Sequence, residues 1–325
     1  MATTRALGHV PVMANEVAAI MAPADGEVYV DGTFGRGGYA VTWLEAADCV
    51  VYGIDRDPDA VAFGRQLSER YPGRLTVLEG RFGEMDRLLS EQGVETVNGV
   101  GLDLGISSPQ IDDPARGFAI AADGALDMRM ERRGRTAADV VNDESEAALA
   151  DIFYKYGEER RARAVARAIV KARAEKPLLR TTELADLIAG VLAKGGRPGK
   201  VHPATRCFQA LRVFVNSEDT QLAAGLAAAE RLLAPEGRLV VVAFQSLDDR
   251  AVKTFLRQRS GDVPRASRHR PDTAPAGPAP TFRLLKRGAL KPSEAEVAAN
   301  PRARSARLRS AVRTGAAPWP AEAAA

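Results

Sequence analysis

A cluster of glycines directly follows the first short apolar run of the chain. The run at residues 26–30 ends at Asp31, and the segment from Asp31 to Gly38 reads Asp-Gly-Thr-Phe-Gly-Arg-Gly-Gly. Glycines here let the backbone turn tightly and approach a ligand without a Cβ in the way, and the next helix start offers free N–H groups. A phosphate-binding P-loop is excluded, because Gly37 is followed by Gly38 and Tyr39 and not by lysine and serine or threonine. A tight turn that binds nothing stays open.

An acidic residue ends the second apolar run, at residues 49–54. Asp55 is suited to accept hydrogen bonds from two ribose hydroxyls, an arrangement shared by nicotinamide enzymes and S-adenosylmethionine enzymes. Asp57 is the better candidate for capping the helix that follows. A dinucleotide site also stays open, because residues 35–40 fit the Gly-x-Gly-x-x-Ala spacing and Asp55 lies twenty residues after the first of these glycines.

A polar loop after the fourth apolar run separates these two cofactors. The run at residues 97–102 ends at Asp103, and the chain continues to Gln110 as Leu-Gly-Ile-Ser-Ser-Pro-Gln. A methyltransferase acting on an aromatic amine needs hydrogen-bond acceptors there, because they turn the nitrogen lone pair towards the methyl group. A sulfonium is already a strong electrophile, so positioning supplies most of the rate and no strong base or metal is required. Asp103 and Ser108 are the candidate catalytic residues, in positioning roles.

The elements that must position these residues form an α/β pattern. Apolar runs at 26–30, 49–54, 75–78 and 97–102 alternate with helix-length segments at 39–47 and 58–70. Such alternation predicts βαβ units and a parallel sheet. Ligands of these sheets bind beyond the carboxyl ends of the strands, where three of the four runs place an aspartate.

The middle of the chain, from about residue 144 to 215, is helical and rich in arginine. We predict helices over 158–176, 182–192 and 203–215, and a loop at 195–199. Thr205, Gln209, Arg212 and Asn216 form the polar line of the third helix. We interpret this region as an all-helical insertion in the α/β fold.

The α/β pattern then resumes. The predicted elements are a helix over 219–233, a turn at 235–237, a strand over 238–244, a helix over 248–258, and short strands over 281–286 and 306–312. We therefore expect a discontinuous domain of residues 1–112 and 214–325 around an insertion at 113–213. Residues 260–280 and 314–325 are expected to be flexible.

Charge is distributed unevenly along the 325 residues, although the net charge is only +3. Residues 155–180 hold nine Lys and Arg against three Asp and Glu, and residues 251–313 hold fifteen against four. The rest of the chain is therefore acidic. Two basic blocks on an acidic chain suggest a polyanionic partner, with solvated surfaces as the alternative.

Composition excludes other classes of protein. No run of about eighteen apolar residues exists, which argues against a membrane span. Residues 1–12 lack the apolar core of a secretory signal, so we expect a cytoplasmic protein. The two cysteines and three histidines lack the close spacing of a zinc site, and no metal is expected.

Motifs spread over nearly the whole chain resemble those of one bacterial family, the 16S rRNA (cytosine-N4)-methyltransferases that modify a decoding-centre cytidine. The glycine segment at 31–38, Gly-Ile-Asp-Arg-Asp-Pro at 53–58 and the polar loop at 102–110 all occur in the family order. The further resembling segments are 9–16 (His-Val-Pro-Val-Met-Ala-Asn-Glu), 113–118 (Asp-Pro-Ala-Arg-Gly-Phe), 123–130 (Asp-Gly-Ala-Leu-Asp-Met-Arg-Met), 156–160, 202–209, 213–218 and 300–305.

The resemblance implies a Rossmann-like S-adenosylmethionine methyltransferase sheet, 16S rRNA in the small ribosomal subunit as the partner, and a helical insertion that helps to recognise the RNA. By position, the implied cofactor-binding residues are Gly37, Gly38, Tyr39, Asp55, Phe82, Asp103 and Gln110. Of these, Asp55 would lie at the ribose and Phe82 beside the adenine.

Two positions depart from the family pattern. Tyr39 and Gln245 both stand where the family usually has histidine. Tyr39 can still offer its backbone N–H to the cofactor. Gln245 can form hydrogen bonds but cannot titrate near pH 7, which argues against a proton relay at that position.

Candidate substrate contacts are Asp127, Arg129 and Arg206. A local salt bridge is the alternative for the first two, and a solvated helix face is the alternative for Arg206 and for Arg212. Phe118 suits a core position better than base stacking.

Two other functions remain open at this point, an NAD-dependent oxidoreductase and a non-catalytic RNA-binding or assembly protein. From the sequence, physical reasoning leaves the exact nucleotide undetermined. It also leaves open whether naked RNA or an assembled subunit is the substrate, and whether the chain forms a homodimer.

Overall fold

The computed structural model describes residues 11–193, 202–262 and 278–320. The chain divides into two compact units, unit 1 formed by Met1–Gly105 and Thr220–Ala325 and unit 2 formed by Ile106–Asp219. The insertion predicted at residues 113–213 falls inside unit 2. Among the described residues, no helix has both the length and the apolar character that a bilayer crossing needs.

Unit 1 is built on a seven-stranded sheet in the order β3-β2-β1-β4-β5-β7-β6. Strands β1 to β5 are parallel, whereas β7 is antiparallel to β5 and β6 is antiparallel to β7. This sheet confirms the α/β fold class predicted from the alternating runs. The strands are β1 (Val28–Asp31), β2 (Val50–Asp55), β3 (Leu75–Glu79), β4 (Val97–Asp103), β5 (Leu233–Ala243), β6 (Phe282–Leu284) and β7 (Arg307–Arg313).

The helices are numbered along the chain across both units. They are α1 (Ala14–Met21), α2 (Gly38–Ala46), α3 (Pro58–Ser68), α4 (Met85–Ser90), α5 (Ser108–Asp112), α6 (Ala137–Asp143), α7 (Glu146–Gly157), α8 (Ala162–Glu175), α9 (Thr181–Ala193), α10 (Thr205–Asn216), α11 (Glu218–Leu232), α12 (Ser246–Arg259) and α13 (Glu294–Ala299).

Apolar side chains bury both faces of the sheet in unit 1. On one face, α1 and α2 pack Met21 and Trp43 against Tyr29 of β1. On the other face, α4, α11 and α12 pack side chains such as Leu226 against Leu102 of β4. Burial on both faces explains why the strands read as nearly continuous apolar runs.

Unit 2 has a core of its own, formed by the apolar faces of α6 to α10. Asn216, at the end of α10, is only 2% exposed. Its side chain accepts a hydrogen bond from Met130 N at 2.8 Å and donates one to Met128 O at 2.8 Å. The prediction that Asn216 belongs to the polar face of its helix is therefore wrong, because a polar side chain can be buried where backbone groups satisfy it.

The helix predicted from residue 158 begins later, at Ala162. The chain turns before it, because Glu158 caps α7 in the left-handed region with φ 50°. A Cβ on Gly157 would lie 2.6 Å from Arg206 O, so close helix packing also requires a glycine there.

The turn predicted at residues 235–237 lies inside β5, where the pairing with β4 shifts register between Val97 and Gly99. Glu236 has φ 65°, so the strand bends there without ending. The loop predicted at 195–199 and most of the flexible segment predicted at 260–280 lie outside the described residues.

The chain end is anchored as far as the description reaches. Trp319 Nε1 donates to Ala279 O at 3.0 Å, and the guanidinium of Arg259 lies 4.1 Å from the Trp319 ring centroid. These contacts place Trp319 against residues of unit 1, and the flexibility expected for residues 314–325 stays a prediction.

Candidate active site

Three aspartates lie at the carboxyl ends of neighbouring strands in unit 1. Strand β1 lies between β2 and β4, and Asp31 is in register with Gly53 on one side and Gly101 on the other. Asp55 and Asp103 end those two strands, each two residues beyond the glycine that pairs with Asp31. The strands thus bring the three carboxyl groups to one edge of the sheet, as the sequence predicts.

Asp31 holds the glycine loop in place. Its side chain is 1% exposed and accepts hydrogen bonds from Thr33 N at 3.3 Å and Ala40 N at 3.2 Å. Burial raises the pKa of Asp31 to about 7, against the lowering effect of these two N–H groups and with a further rise from Asp55. Through these two hydrogen bonds, Asp31 stabilises the glycine loop and the first turn of α2.

The glycine loop requires glycine at two positions for different reasons. Gly37 is the N-cap of α2 with φ 71°, and a Cβ there would lie 2.8 Å from the ring of Phe34. Gly38 has an ordinary φ, but a Cβ there would lie 2.8 Å from Pro11. The Phe34 ring therefore packs against the loop at Gly37, and Pro11, in the segment before α1, packs against it at Gly38.

Asp55 already accepts two backbone hydrogen bonds, from Gly35 N at 2.7 Å to Oδ2 and from Asp57 N at 2.8 Å to Oδ1. Arg56 N is a further backbone donor to this carboxyl group, which can accept about four hydrogen bonds in all. Burial raises the pKa of Asp55 to about 6, although these N–H groups lower it. Asp57 caps α3 by accepting from Asp59 N at 3.1 Å, which confirms its predicted role.

Asp103 differs from the other two aspartates because its carboxyl oxygen Oδ1 is buried without a hydrogen-bond partner among the described residues. Burial, and then repulsion from Asp31, raises its pKa to about 8. Its backbone N–H donates to Thr33 Oγ1 at 2.6 Å. Because buried polar groups are nearly always satisfied, this oxygen fits a site that receives a donor from outside the chain.

Phe82 follows β3 at the same edge of the sheet. A Cβ on Gly32 would lie 3.3 Å from the Phe82 Cβ, so the residue adjoins the start of the glycine loop. The Phe82 ring packs on Gly225 of α11, where the lack of a side chain makes room for it. One edge of the ring is thus fixed by a helix.

The sequence reasoning missed how the segment before α1 is fixed over the loop. Tyr39 is 3% exposed, and its hydroxyl donates to Val12 O at 2.6 Å. Met13 N in turn donates to Glu296 Oε1 of α13 at 2.6 Å. The motif at residues 9–16 was the only sequence signal for this segment, and it gave no indication of Glu296.

The part of the polar loop that belongs to unit 2, from Ile106 to Gln110, contains a helix cap. Ser107 and Gln110 form a capping box at the start of α5, in which Gln110 Oε1 accepts from Ser107 N at 3.0 Å. Gln110 is 5% exposed. Ser108 is the first residue of α5. The oxygen of the Gln110 side chain thus has a structural role within unit 2.

The candidate substrate residues of unit 2 differ in how their side chains are engaged. Asp127 and Arg129 pair with each other, with Nε to Oδ1 at 2.8 Å and Nη2 to Oδ2 at 2.7 Å. Arg206 is exposed on α10. Arg212 forms a half-buried pair with Glu218 at 2.8 Å, which corrects its interpretation as part of a solvated or phosphate-binding face.

Two residues have surroundings that bear on the sequence interpretation. Phe118 is 7% exposed in the core of unit 2, which confirms a packing position over base stacking. Gln245 directly precedes α12 as its N-cap, just after the carboxyl end of β5 in unit 1.

Among the described residues, no group of His, Cys, Asp and Glu is arranged to hold a metal ion.

Comparison with known proteins gives consistent matches over nearly the full chain. The MraW methylase family matches residues 6–314. The chain is also similar to three proteins named ribosomal RNA small subunit methyltransferase H. The protein of Paramagnetospirillum magneticum is 55% identical over 96% of this chain and 97% of its own length. That of Rhodospirillum centenum is 59% identical over 95% and 93%, and that of Parvibaculum lavamentivorans is 55% identical over 98% and 93%.

These matches confirm the family resemblance found in the sequence and the methyltransferase activity predicted from it. They argue against an oxidoreductase. The chain belongs to the MraW methylase family.

Proposed function

We propose that this methylase transfers a methyl group from S-adenosylmethionine to the N4 amine of a cytidine in the decoding centre of 16S rRNA. The observation that supports the proposal most is the buried Oδ1 of Asp103 next to the glycine loop, which has no hydrogen-bond partner among the described residues. A buried carboxyl group with a raised pKa fits a site that is completed by a cationic ligand.

The residues of unit 1 fit this cofactor. Gly37, Gly38 and Tyr39 would hold it through the backbone at the start of α2. Asp55 would accept a hydrogen bond from the ribose beside those from its backbone donors. Phe82 would lie beside the adenine, and Asp103 would face the cationic part. Gln110 remains a predicted cofactor residue in unit 2.

The chemistry needs little from the chain beyond positioning. When bound, S-adenosylmethionine supplies a methyl group on a sulfonium, which is already a strong electrophile. Acceptors such as Ser108 and backbone carbonyls would hold the two hydrogens of the cytidine amine, so that its lone pair faces the methyl group. The base must be unpaired or flipped out to reach such a site.

A cationic face on α8 supports RNA as the partner of unit 2. Arg163, Arg167 and Lys171 are exposed and four residues apart, so they lie on one side of the helix opposite its buried Val165 and Ile169. Arg163 and Lys171 have no carboxylate within 4 Å among the described residues, and Arg167 lies 3.5 Å from Glu146. Exposed cations at regular spacing, two of them without a carboxylate partner among the described residues, suit a phosphate backbone.

Tyr154, on the neighbouring helix α7, is 68% exposed. A large aromatic side chain at this exposure beside basic residues suits stacking on an unpaired base. We therefore assign substrate recognition to unit 2. We also place the enzyme in the cytoplasm, where small ribosomal subunits are found.

The test is methyl transfer with purified components. Small subunits and their naked 16S rRNA, both from cells that lack this enzyme, are incubated with methyl-labelled S-adenosylmethionine, and the cofactor affinity is measured against NAD. We expect cofactor binding and label in the RNA of one of the two substrates. Binding of NAD alone would overturn the cofactor assignment. Cofactor binding without label in either RNA would favour a non-catalytic RNA-binding protein.

A further inference from the structure

Gln221 is a second buried polar side chain without a complete set of partners in unit 1. It lies in the first turn of α11 and is 9% exposed. Its oxygen Oε1 has no hydrogen-bond partner among the described residues. Buried amide oxygens of folded proteins are nearly always paired, so this acceptor requires an explanation.

The fold brings Gln221 to the edge of the sheet where the candidate site lies. Helix α11 leads directly into β5, which is parallel to β4, so the first turn of α11 lies towards the carboxyl ends of the parallel strands. A Cβ on Gly83 would lie 2.5 Å from Gln221 Oε1, so the amide oxygen lies directly on the loop after β3.

Gln221 and the Phe82 ring share one face of α11. The ring packs on Gly225, which is one helical turn after Gln221. Phe82 also adjoins Gly32 at the start of the glycine loop. A planar ring that stacks on Phe82 would therefore have its edge near Gln221 Oε1, an acceptor that no described residue pairs with.

We propose that Gln221 Oε1 accepts a hydrogen bond from the exocyclic 6-amino group of the adenine of the bound methyl donor. This inference rests on the proposed function, because it takes Phe82 as the adenine contact. Gln221 is then a specificity-determining residue of the cofactor site. It selects a purine with a 6-amino group through an acceptor that lies against Gly83.

The test pairs a protein change with a ligand change. The affinity for S-adenosylhomocysteine and for its analogue without the 6-amino group is measured by calorimetry on the full chain. For the wild type we expect the analogue to bind about three- to tenfold more weakly, as the loss of one neutral hydrogen bond implies. For Gln221→Leu we expect the two ligands to bind equally.

Three further variants keep the result interpretable. Gln221→Met serves if Gln221→Leu fails to fold, and Gln221→Glu, which keeps an acceptor, should restore the preference for the 6-amino ligand. Gln66→Leu changes an exposed glutamine on α3 and should retain the wild-type ratio. The same ratio in wild type and Gln221→Leu would overturn the inference. A wild type that binds neither ligand would instead contradict the proposed function.

Discussion

Thr33 and Asp103 join the glycine loop to the strand beside it, because Thr33 Oγ1 accepts a hydrogen bond from Asp103 N at 2.6 Å. This bond fixes the backbone of Asp103 and leaves its carboxyl group for other contacts. Asp31, on the same loop, repels that carboxyl group and is itself held by Thr33 N. The loop and the third aspartate thus form one connected unit.

Replacing Asp103 should separate stability from binding. Above the Asp103 pKa of about 8, the carboxyl group of the ligand-free protein is charged. At such a pH, Asp103→Asn removes this buried charge and its repulsion with Asp31, so we expect the ligand-free Tm to rise by about 2–4 °C, which corresponds to roughly 1 kcal/mol. The affinity for S-adenosylmethionine should fall about tenfold or more, from the loss of a charged hydrogen bond. Thermal melts and calorimetry measure the two effects. An unchanged affinity would remove Asp103 from the cofactor site.

Asp55→Ala should also weaken cofactor binding by about tenfold or more, because it removes the charged acceptor assigned to the ribose. In contrast to Asp103→Asn, this variant should lower Tm, since Gly35 N and Asp57 N lose their acceptor. Asp59→Ala on the exposed start of α3 serves as the control and should retain the affinity. Wild-type affinity in Asp55→Ala would show that this acid lies away from the ribose.

Cofactor binding should depend on pH and release protons. Burial raises the pKa of Asp31, Asp55 and Asp103 to about 7, 6 and 8, all above the ordinary aspartate value. A raised carboxyl pKa favours folding at low pH, and this stabilisation of the ligand-free protein is lost as the pH rises from about 4 to about 8. A cationic ligand favours the charged carboxylates, so its affinity should increase over pH 6–8.

Calorimetry at pH 7 in buffers with different ionisation enthalpies measures the proton release directly. We expect release on binding in the wild type and less release in Asp103→Asn. Proton uptake, or an affinity that falls as the pH rises, would contradict the assignment of a cationic ligand to these carboxyl groups.

The hydroxyl of Tyr39 should matter for stability and little for binding. Tyr39→Phe leaves the buried Val12 O without its donor at 2.6 Å, which should cost about 1–3 kcal/mol of unfolding free energy. Because we assign only the backbone N–H of Tyr39 to the cofactor, the affinity should change less than about threefold. Denaturant unfolding and calorimetry test this pair of effects against Tyr154→Phe, which alters an exposed hydroxyl. A large affinity loss would place the Tyr39 hydroxyl in the site.

The cationic face of α8 should govern RNA affinity. The double variant Arg163→Gln with Lys171→Gln removes two exposed cations, so RNA binding should weaken and the slope of log K against log salt should become shallower by about 1.4–1.8. Cofactor affinity should not change. The matched control is Arg65→Gln with Arg70→Gln, two exposed cations of unit 1 that lie outside both basic blocks. Equal RNA affinity and slope in both double variants would exclude this face from the interface.

The strand ends could be predicted from the sequence because each parallel strand is buried on both faces and stops at a polar residue. Asp31, Asp55 and Asp103 therefore stood out, and parallel pairing brings such ends to one edge. The helical spacing of Val165, Ala166 and Ile169 likewise predicts the side of α8 that is buried in the structure.

Contacts between side chains distant in sequence could not be predicted in this way. The bonds from Thr33 to Asp103 and from Met13 to Glu296 join residues 70 and 283 positions apart. The burial of Asn216 depends on backbone groups of Met128 and Met130, which periodicity along one helix does not reveal. The sequence shows that Tyr39 departs from the family pattern, but it does not reveal the hydrogen bond from the Tyr39 hydroxyl to Val12 O.

The central claim is tested most directly by a position-resolved mass map of modified nucleosides in small-subunit RNA. The RNA comes from cells without this enzyme, before and after reaction with the purified chain and S-adenosylmethionine, with Asp55→Ala as the control. The account predicts one additional methyl group on one decoding-centre cytidine and far less product with the variant. Because N4- and C5-methylcytidine have the same mass, the modified nucleoside is compared by chromatography with both standards, and it should co-elute with the N4 isomer. Methylation at a carbon or on another base, or no new methyl group, would contradict it.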